Sequence, residues 1–600
     1  MKRPHGQMRQ SQVVTTFGPG SLLDLERHSV LVSGLDYWQA GDEIGEPRLV
    51  EKLKRLLNLP QLRLYAPPPD DTSPGAAPTG IQVWQFPEWF IAQEVKEETR
   101  RPGVRSRPLV HRVGLMKGRF VDDEKVARPV VPVRFVRGCR RGHLGDIDWY
   151  LFVHGERTPC RRLLRMEERG TSGDLGEVWV RCECKAERPM TDAANADRRA
   201  LGACDGARPW LGPYTKEACT EPNRMLVRTA SNAYFPQLMS VISLPDRDAA
   251  LARAVGQVWD AYLQYVDTPE ELRAERTKKP PVKQALDGFA DEEVLAEIQA
   301  RKGIGGTGPV KSVKQAEFEV LATAREELGS DQPDGVFYAR ALPRDRWDRP
   351  WMAPVERVTI VHRLREVVAE VGFTRFEALA PDIEGELELG VERASLAREP
   401  TWLPAVENRG EGVFLAFRRT AIQEWMRAAT VVTRGRQLDA GFQRWLGEHE
   451  GSRRQFPGVP YILLHALAHL LITAVSLECG YPASSIRERV YAGAGGFGIL
   501  LYTGSPDAEG TLGGLVEAGR RIAQHVRAAL ELGELCSNDP VCAQHTPDDV
   551  NERRFLVGAA CHGCLLIAET SCEQHNDFLD RALVVPTVSD RGTAFFRLDR

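Results

Sequence analysis

Eleven of the twelve cysteines in this 600-residue chain fall in two groups, at 139 to 219 and at 536 to 572, and only Cys479 stands apart. That grouping limits the fold more than any other feature. The N-terminus, MKRPHGQMRQSQ, is basic with no apolar segment behind it, and no run of about 18 residues is uniformly apolar. A cytoplasmic chain without membrane contact is therefore expected. In a reducing compartment, thiols packed this densely serve as metal ligands more readily than as disulfides. The last group reads AACHGCLLIAETSCEQHN: Cys561 and Cys564 form a C-x-x-C pair whose short loop lets two thiolates reach one tetrahedral ion, Cys572 follows, and CSNDPVC supplies Cys536 and Cys542. Five candidates compete for four places. A metal with four protein ligands has no position for water, so this zinc is expected to hold a fold and to catalyse nothing.

The earlier group is looser. RCECK gives Cys182 and Cys184, LGACDG gives Cys204 and KEACTE gives Cys219, and these four are the expected second zinc set. Cys139, His143 and Cys160 are alternates or ligands of another ion. About two zinc ions per chain are expected.

Six hundred residues suffice for several domains. Residues 1–135 read as short strands with aromatic anchors, 136–245 as a cysteine-rich zinc-binding region and 246–330 as a helical insert; 331–450 reads as a mixed linker domain and 451–600 as a mixed α/β zinc-binding domain. The fold class is thus α+β and multidomain. YILLHALAHLLITAV is the expected core helix of the last unit, with Leu463, Leu467, Leu470, Leu471 and Ala474 on one apolar face.

Enzyme motifs fail on their geometry. GIGGTGPVK, residues 303–311, follows a charged helical run where a buried strand is needed, and Pro309 and Val310 stand where a P-loop needs Lys and Ser or Thr. HALAH spaces His465 and His469 as zinc proteases do, but Ala466 takes the place of the general-base Glu. Both histidines are expected to be structural, capping a pocket or touching the neighbouring zinc unit. A metal-dependent nuclease or hydrolase recruiting His465, His469 and Asp507 is the alternative, and a structural scaffold without DNA contact is another, favoured by the net charge of −4. Against that near-neutral background, residues 99–120 hold seven Arg or Lys and no acid. Arg100, Arg101, Arg105, Arg107 and Arg112 are the expected phosphate contacts, and Pro102, Gly103 and Pro108 suggest an irregular loop.

QSQVVTTFGPGSLLDLERHSVLVSGLDYW, RTASNAYFP, LLHALAHLLI, LLYTGSPDAEGTLGGL and AACHGCLLIAETSCE together resemble the DrmB family of the DISARM anti-phage system, discontinuously over most of the chain. The C-terminal unit is similar to a helicase-associated zinc-binding domain of unknown function, whose C-x-x-C, spaced Cys and Asn fall on Cys561, Cys564, Cys572 and Asn576, and whose Tyr and Gly-Gly turn fall on Tyr502, Gly513 and Gly514. The resemblance implies a non-catalytic accessory subunit that pairs as a heterodimer with the DISARM helicase DrmA and helps it engage phage DNA. In RTASNAYFP an ordinary turn is the expectation, and the alternative is a polar cluster of Arg228, Ser231 and Asn232 that fixes the zinc region against the C-terminal unit.

Overall fold

The computed structural model describes residues 8–25, 28–69, 80–93, 96–97, 103–245, 247–302, 312–323, 326–332, 335–377, 382, 384–385, 393–449, 452, 454–504, 513–549 and 551–598. Arg100, Arg101, Asp507 and the GIGGTGPVK segment lie outside the described residues. Contacts gather the chain into two compact units where five consecutive segments were expected. One unit is built from 1–241, 367–381 and 387–408, the other from 242–366, 382–386 and 409–600. The linker segment is the physical reason: it contains two long strands, Val355–Thr374 and Trp402–Phe417, and parts of each count with either unit.

The first unit is mostly antiparallel sheet. Its largest sheet runs in the order Val130–Pro132, Trp89–Ala92, Arg105–His111, Leu164–Glu168, Val178–Cys182, Glu187–Pro189. Val178, Val180 and Cys182 are buried while Trp179 and Arg181 are half-buried, the period-2 pattern of a strand with one covered face. Trp149 and Phe152 from the short helix Trp149–His154 pack on that face with Phe135, Leu164 and Met166. The arginine-rich run is therefore strand from Arg105 to His111 and not an irregular loop. Pro108 is tolerated because the partner on one side changes there: Lys96 and Glu97 pair with 105–106, whereas Trp89 to Ile91 pair with 109–111.

In the second unit, the expected helical insert contains helices Arg247–Val258, Pro269–Lys278, Pro280–Ala285 and Asp291–Arg301 around Val255, Leu272, Val282, Val294 and Ile298. Thr268 caps the second of these, accepting from the Glu271 N–H at 3.3 Å while Glu271 reaches back to the Thr268 N–H. The larger layer places strands Ile486–Ala492 and Phe497–Thr503 against helix Val459–Cys479, with helix Ile522–Glu534 also packed on it. Pro460 in the first turn and Gly480 in the left-handed conformation (φ 77°) bound that helix. It is long and apolar enough to cross a membrane, but 72% of its most apolar window is buried within the protein. Burial is not confined to one face: every residue from Tyr461 to Ile472 is covered, so this is the axis of a core.

Candidate metal centres

Three thiolate-rich clusters emerge, grouped differently from the sequence expectation. Cys536, Cys542, Cys561 and Cys564 form one, without Cys572. The expected set of Cys182, Cys184, Cys204 and Cys219 is divided: Cys182 and Cys184 gather with His154 and Cys160, and Cys204 and Cys219 with Cys139 and His143. The sheet explains the division. Strand Leu164–Glu168 pairs with Val178–Cys182, which brings Cys182 and Cys184 back to the loop holding Cys160 and to the end of the helix holding His154. Strand Phe135–Gly138 pairs with Arg224–Val227, which brings Cys139 and His143 beside the loop of Cys204 and Cys219.

The spacings suit zinc. A tetrahedral ion with Zn–S near 2.3 Å holds its sulfurs about 3.8 Å apart. Here Cys542 and Cys564 are 3.8 Å apart, Cys561 and Cys564 3.7 Å, Cys536 and Cys561 3.4 Å, Cys160 and Cys182 3.6 Å, and Cys139 and Cys219 4.0 Å. His143 Nδ1 lies 3.2 Å from Cys139 Sγ and 3.5 Å from Cys204 Sγ, and His154 Nε2 lies 3.2 Å from Cys184 Sγ.

Surrounding groups orient these ligands. His143 turns its Nε2 to the Glu217 carboxylate at 2.8 Å, which leaves Nδ1 for the cluster. His154 gives its Nδ1 to the Tyr150 carbonyl at 2.8 Å, which leaves Nε2. Backbone N–H groups two residues on donate to sulfur: Gly206 to Cys204 (3.3 Å), Asn538 to Cys536 (3.4 Å) and Gly563 to Cys561 (3.3 Å). Crowding also sets the thiols against one another. The hydrogen bond with Cys139, and His143 beside it, draws Cys204 down to about 4, and the same contact with burial pushes Cys139 up. Contact with Cys564 likewise draws Cys542 down to about 5, with Arg581 helping, and Cys564 goes up. Neighbouring thiols cannot all ionise unaided, and a dication among them removes that conflict.

His154 was missed by sequence reasoning. Its signal was the spacing His154-x5-Cys160 at the end of a short aromatic helix. His465 and His469 are fully buried, and Cys572 lies beside His465, its Sγ 3.1 Å from Nε2. Asn576 closes the loop around Cys572, accepting from the Ile567 N–H at 3.1 Å and donating to the Ile567 carbonyl at 2.9 Å. Gly513 and Leu515 both donate backbone N–H groups to Glu411 at 2.6 Å, and Tyr502 donates to Glu366 at 2.8 Å.

Of the described arginines in the basic run, Arg107 pairs with Glu168 at 2.6 Å and Arg112 with Glu88 at 3.0 Å, and Arg105 is exposed on the strand. Beside them lies a groove of about 830 Å³ lined by Trp89, His111, Phe120, Tyr150, Arg157 and Arg161. The Arg161 guanidinium lies 5.1 Å from the Tyr150 ring centroid, and the His154 ring stacks with Tyr150 at 6.4 Å between centroids. In RTASNAYFP, Arg228 pairs with Asp24 and donates to the Val133 carbonyl at 3.1 Å, and the Asn232 carbonyl accepts from the Phe376 N–H at 2.9 Å. These partners all belong to the first unit, as the expected turn requires, and none of them ties the segment to the C-terminal unit.

Residues 9–235 match a domain of unknown function (DUF8724), and residues 467–565 match the MrfA Zn-binding domain. The chain is 32% identical over 482 residues to the DISARM protein DrmB of Bacillus paralicheniformis, covering 78% of this chain and 83% of that protein. The zinc-domain match takes in Cys536, Cys542, Cys561 and Cys564, and structural zinc suits the Cys/His clusters.

Proposed function

We propose, from the premise that the chain belongs to the DrmB family of DISARM proteins, that it is a non-catalytic, zinc-stabilised subunit that partners the DISARM helicase DrmA in the cytoplasm and helps it hold invading DNA. The observation that carries this reading is the ligand count. Each thiolate-rich cluster offers four protein donors, so its metal would keep no position for an attacking water, and its work would be to fix loops.

DNA contact is best assigned to the groove. Arginines beside stacked aromatic rings suit phosphates and unstacked bases without sequence preference. Arg107 and Arg112 are already engaged by carboxylates, so their share in binding is smaller than that of Arg157 and Arg161, which are exposed at the groove. The cluster of His154, Cys160, Cys182 and Cys184 would then set the groove wall, because Tyr150 and Arg161 sit on the segment it holds.

Co-purification with the neighbouring helicase tests the partnership. The expected result is a stable complex, and a chain that never co-elutes with the helicase overturns it. In that complex, Arg157→Ala with Arg161→Ala should weaken binding to every DNA alike and flatten the slope of log affinity against log salt by about 1.5 to 2. An unchanged slope removes the groove from the DNA path. EDTA-sensitive nuclease activity in the purified chain would refute the non-catalytic reading.

A further inference from the structure

Helix Val459–Cys479 carries two histidines that the three thiolate-rich clusters leave without a task. His465 and His469 stand one turn apart, with ring centroids 4.6 Å from each other. Strand Ile486–Ala492 brings Glu488 to them, and the turn after Glu569–Ser571 brings Cys572. His465 Nε2 lies 2.8 Å from Glu488 Oε1 and 3.1 Å from Cys572 Sγ, and His469 Nε2 lies 3.3 Å from the same carboxylate oxygen. All four donor atoms lie within 4.8 Å of one another, and all four residues are buried.

Their surroundings aim these atoms inward. His465 Nδ1 is 3.1 Å from the Phe578 carbonyl oxygen and His469 Nδ1 is 2.7 Å from that of Leu565. A carbonyl only accepts, so each Nδ1 carries its proton and each Nε2 faces the cluster. Cys572 Sγ accepts the backbone N–H groups of Gln574 at 3.4 Å and Asn576 at 3.1 Å, which favours a thiolate. The other oxygen of Glu488, Oε2, is buried with no hydrogen-bond partner among the described residues.

We propose that His465, His469, Glu488 and Cys572 form a further, closed site for a divalent transition metal, zinc by its ligand chemistry, separate from the three thiolate-rich clusters. Two neutral imidazoles, one thiolate and one carboxylate carry two negative charges, which one dication balances. Without a cation, two Nε2 lone pairs face a carboxylate and a thiolate, or two imidazolium ions are buried beside two anions with all four charges desolvated. Nitrogen, sulfur and oxygen donors together suit zinc; magnesium and calcium take oxygen donors only. Small outward shifts of the donors make room for Zn–N near 2.0 Å and Zn–S near 2.3 Å. The ion would join the central helix, a sheet strand and the C-terminal segment. Through Leu565, which follows Cys564 and whose carbonyl accepts the His469 Nδ1–H, it would also brace the neighbouring four-cysteine loop. The matched zinc-domain segment, 467–565, contains neither His465 nor Cys572.

The test begins with the wild-type full-length protein, because removing a ligand from a core can unfold it. Elemental analysis after dialysis should give about four zinc ions per chain, and zinc-edge X-ray absorption should give about 2.8 sulfurs and about one nitrogen per zinc. About three ions with about 3.3 sulfurs each overturn the proposal. Cys572→Ser supplies the second measurement. Serine keeps a small hydrogen-bonding side chain, so a metal-free polar cluster would tolerate it with zinc content unchanged, and that result also overturns the proposal. The expected result is loss of about one zinc per chain, or insoluble protein beside a wild type that holds four.

Discussion

Asp580→Ala tests whether the C-terminal segment is held by buried electrostatics as well as by metal. Asp580 is fully buried, and its Oδ2 accepts from Arg434 Nε at 2.7 Å while its Oδ1 accepts from the backbone N–H groups of Ala559 at 3.1 Å and Ala582 at 3.0 Å. Arg434 is 8% exposed. Gly558 lets the carboxylate approach: a Cβ there would meet Asp580 Cγ at 2.4 Å. Truncation to alanine strands a buried guanidinium, at a cost of about 3 to 5 kcal/mol for breaking a buried pair. The two N–H groups would add about 1 kcal/mol or more each were water not able to reach them through the vacated volume, so the sum stays near the upper end of that range. The assay is denaturant unfolding of full-length protein, read on the transition that tracks zinc release to a chromophoric chelator, because two compact units need not unfold together. Arg434→Ala and the double variant complete a cycle whose coupling should be about 2 kcal/mol or more. Zinc should also be released sooner, since Ala559 and Ala560 lead into Cys561. A loss below about 1 kcal/mol, or additive single variants, would refute the reasoning.

Leu467→Asp buries an unpaired charge at the centre of the core helix, where Leu467 is 1% exposed, and should cost about 3 to 5 kcal/mol or abolish soluble expression; wild-type melting would make the helix peripheral. Asp146 is a carboxyl pushed up to about 7, chiefly by burial, with Oδ1 buried and unpaired among the described residues and Oδ2 accepting from the Glu88 N–H at 3.1 Å. Because the folded value is raised, its contribution is complete below the unfolded value near 4 and is lost as pH rises towards 7, so Asp146→Asn should stabilise by up to about 4 kcal/mol at pH 8 and by little at pH 4; melting curves that shift equally at both pH values would show the carboxyl to be ordinary. Asn232→Ala removes an exposed side chain whose residue is held through its backbone carbonyl, and should move stability by no more than about 0.5 kcal/mol and leave helicase co-purification intact; lost co-purification would mark a contact surface.

The sequence made local chemistry legible and long-range grouping opaque. Cys561 and Cys564 declare themselves because a C-x-x-C spacing fixes their separation, and Cys536 and Cys542 form a second closely spaced pair upstream. Cys572 misleads for the same reason: it is close in sequence to a filled site, yet its neighbours are His465, 107 residues away, and Glu488. Similarly, Cys184 and Cys204 are only 20 positions apart but belong to different clusters, because pairing of 164–168 with 178–182 draws one of them back and pairing of 135–138 with 224–227 holds the other elsewhere. Sheet register decides which thiols meet, and register is not written in cysteine spacing. The arginine-rich run was misread through Pro108, whose effect depends on whether a partner strand faces its nitrogen.

The C-terminal segment shows why metal is used there. From Leu535 to Leu598 the described chain has only a four-residue α-helix and two short 3-10 turns, so neither helical nor sheet ladders account for its order. Its backbone is instead pinned at discrete points. Arg581 is fully buried and donates to the carbonyls of Gly533 at 2.9 Å and Glu534 at 3.4 Å, at the negative end of helix Ile522–Glu534, while also pairing with Asp539 inside the loop between Cys536 and Cys542. One guanidinium thus joins a helix end to a metal loop. Closing loops of this length costs little more as they lengthen, so a few strong crosslinks suffice to order the irregular backbone between its buried apolar side chains. The four-cysteine cluster, the His465 group and the Arg434–Asp580 and Arg581–Asp539 pairs supply those crosslinks. Each joins this segment to itself, to the core helix and strands or, through Arg434, to helix Ala429–Glu448. The irregular segment therefore adds metal and charge to the packing of Leu565, Phe578, Leu583 and Val585 into the core beneath it.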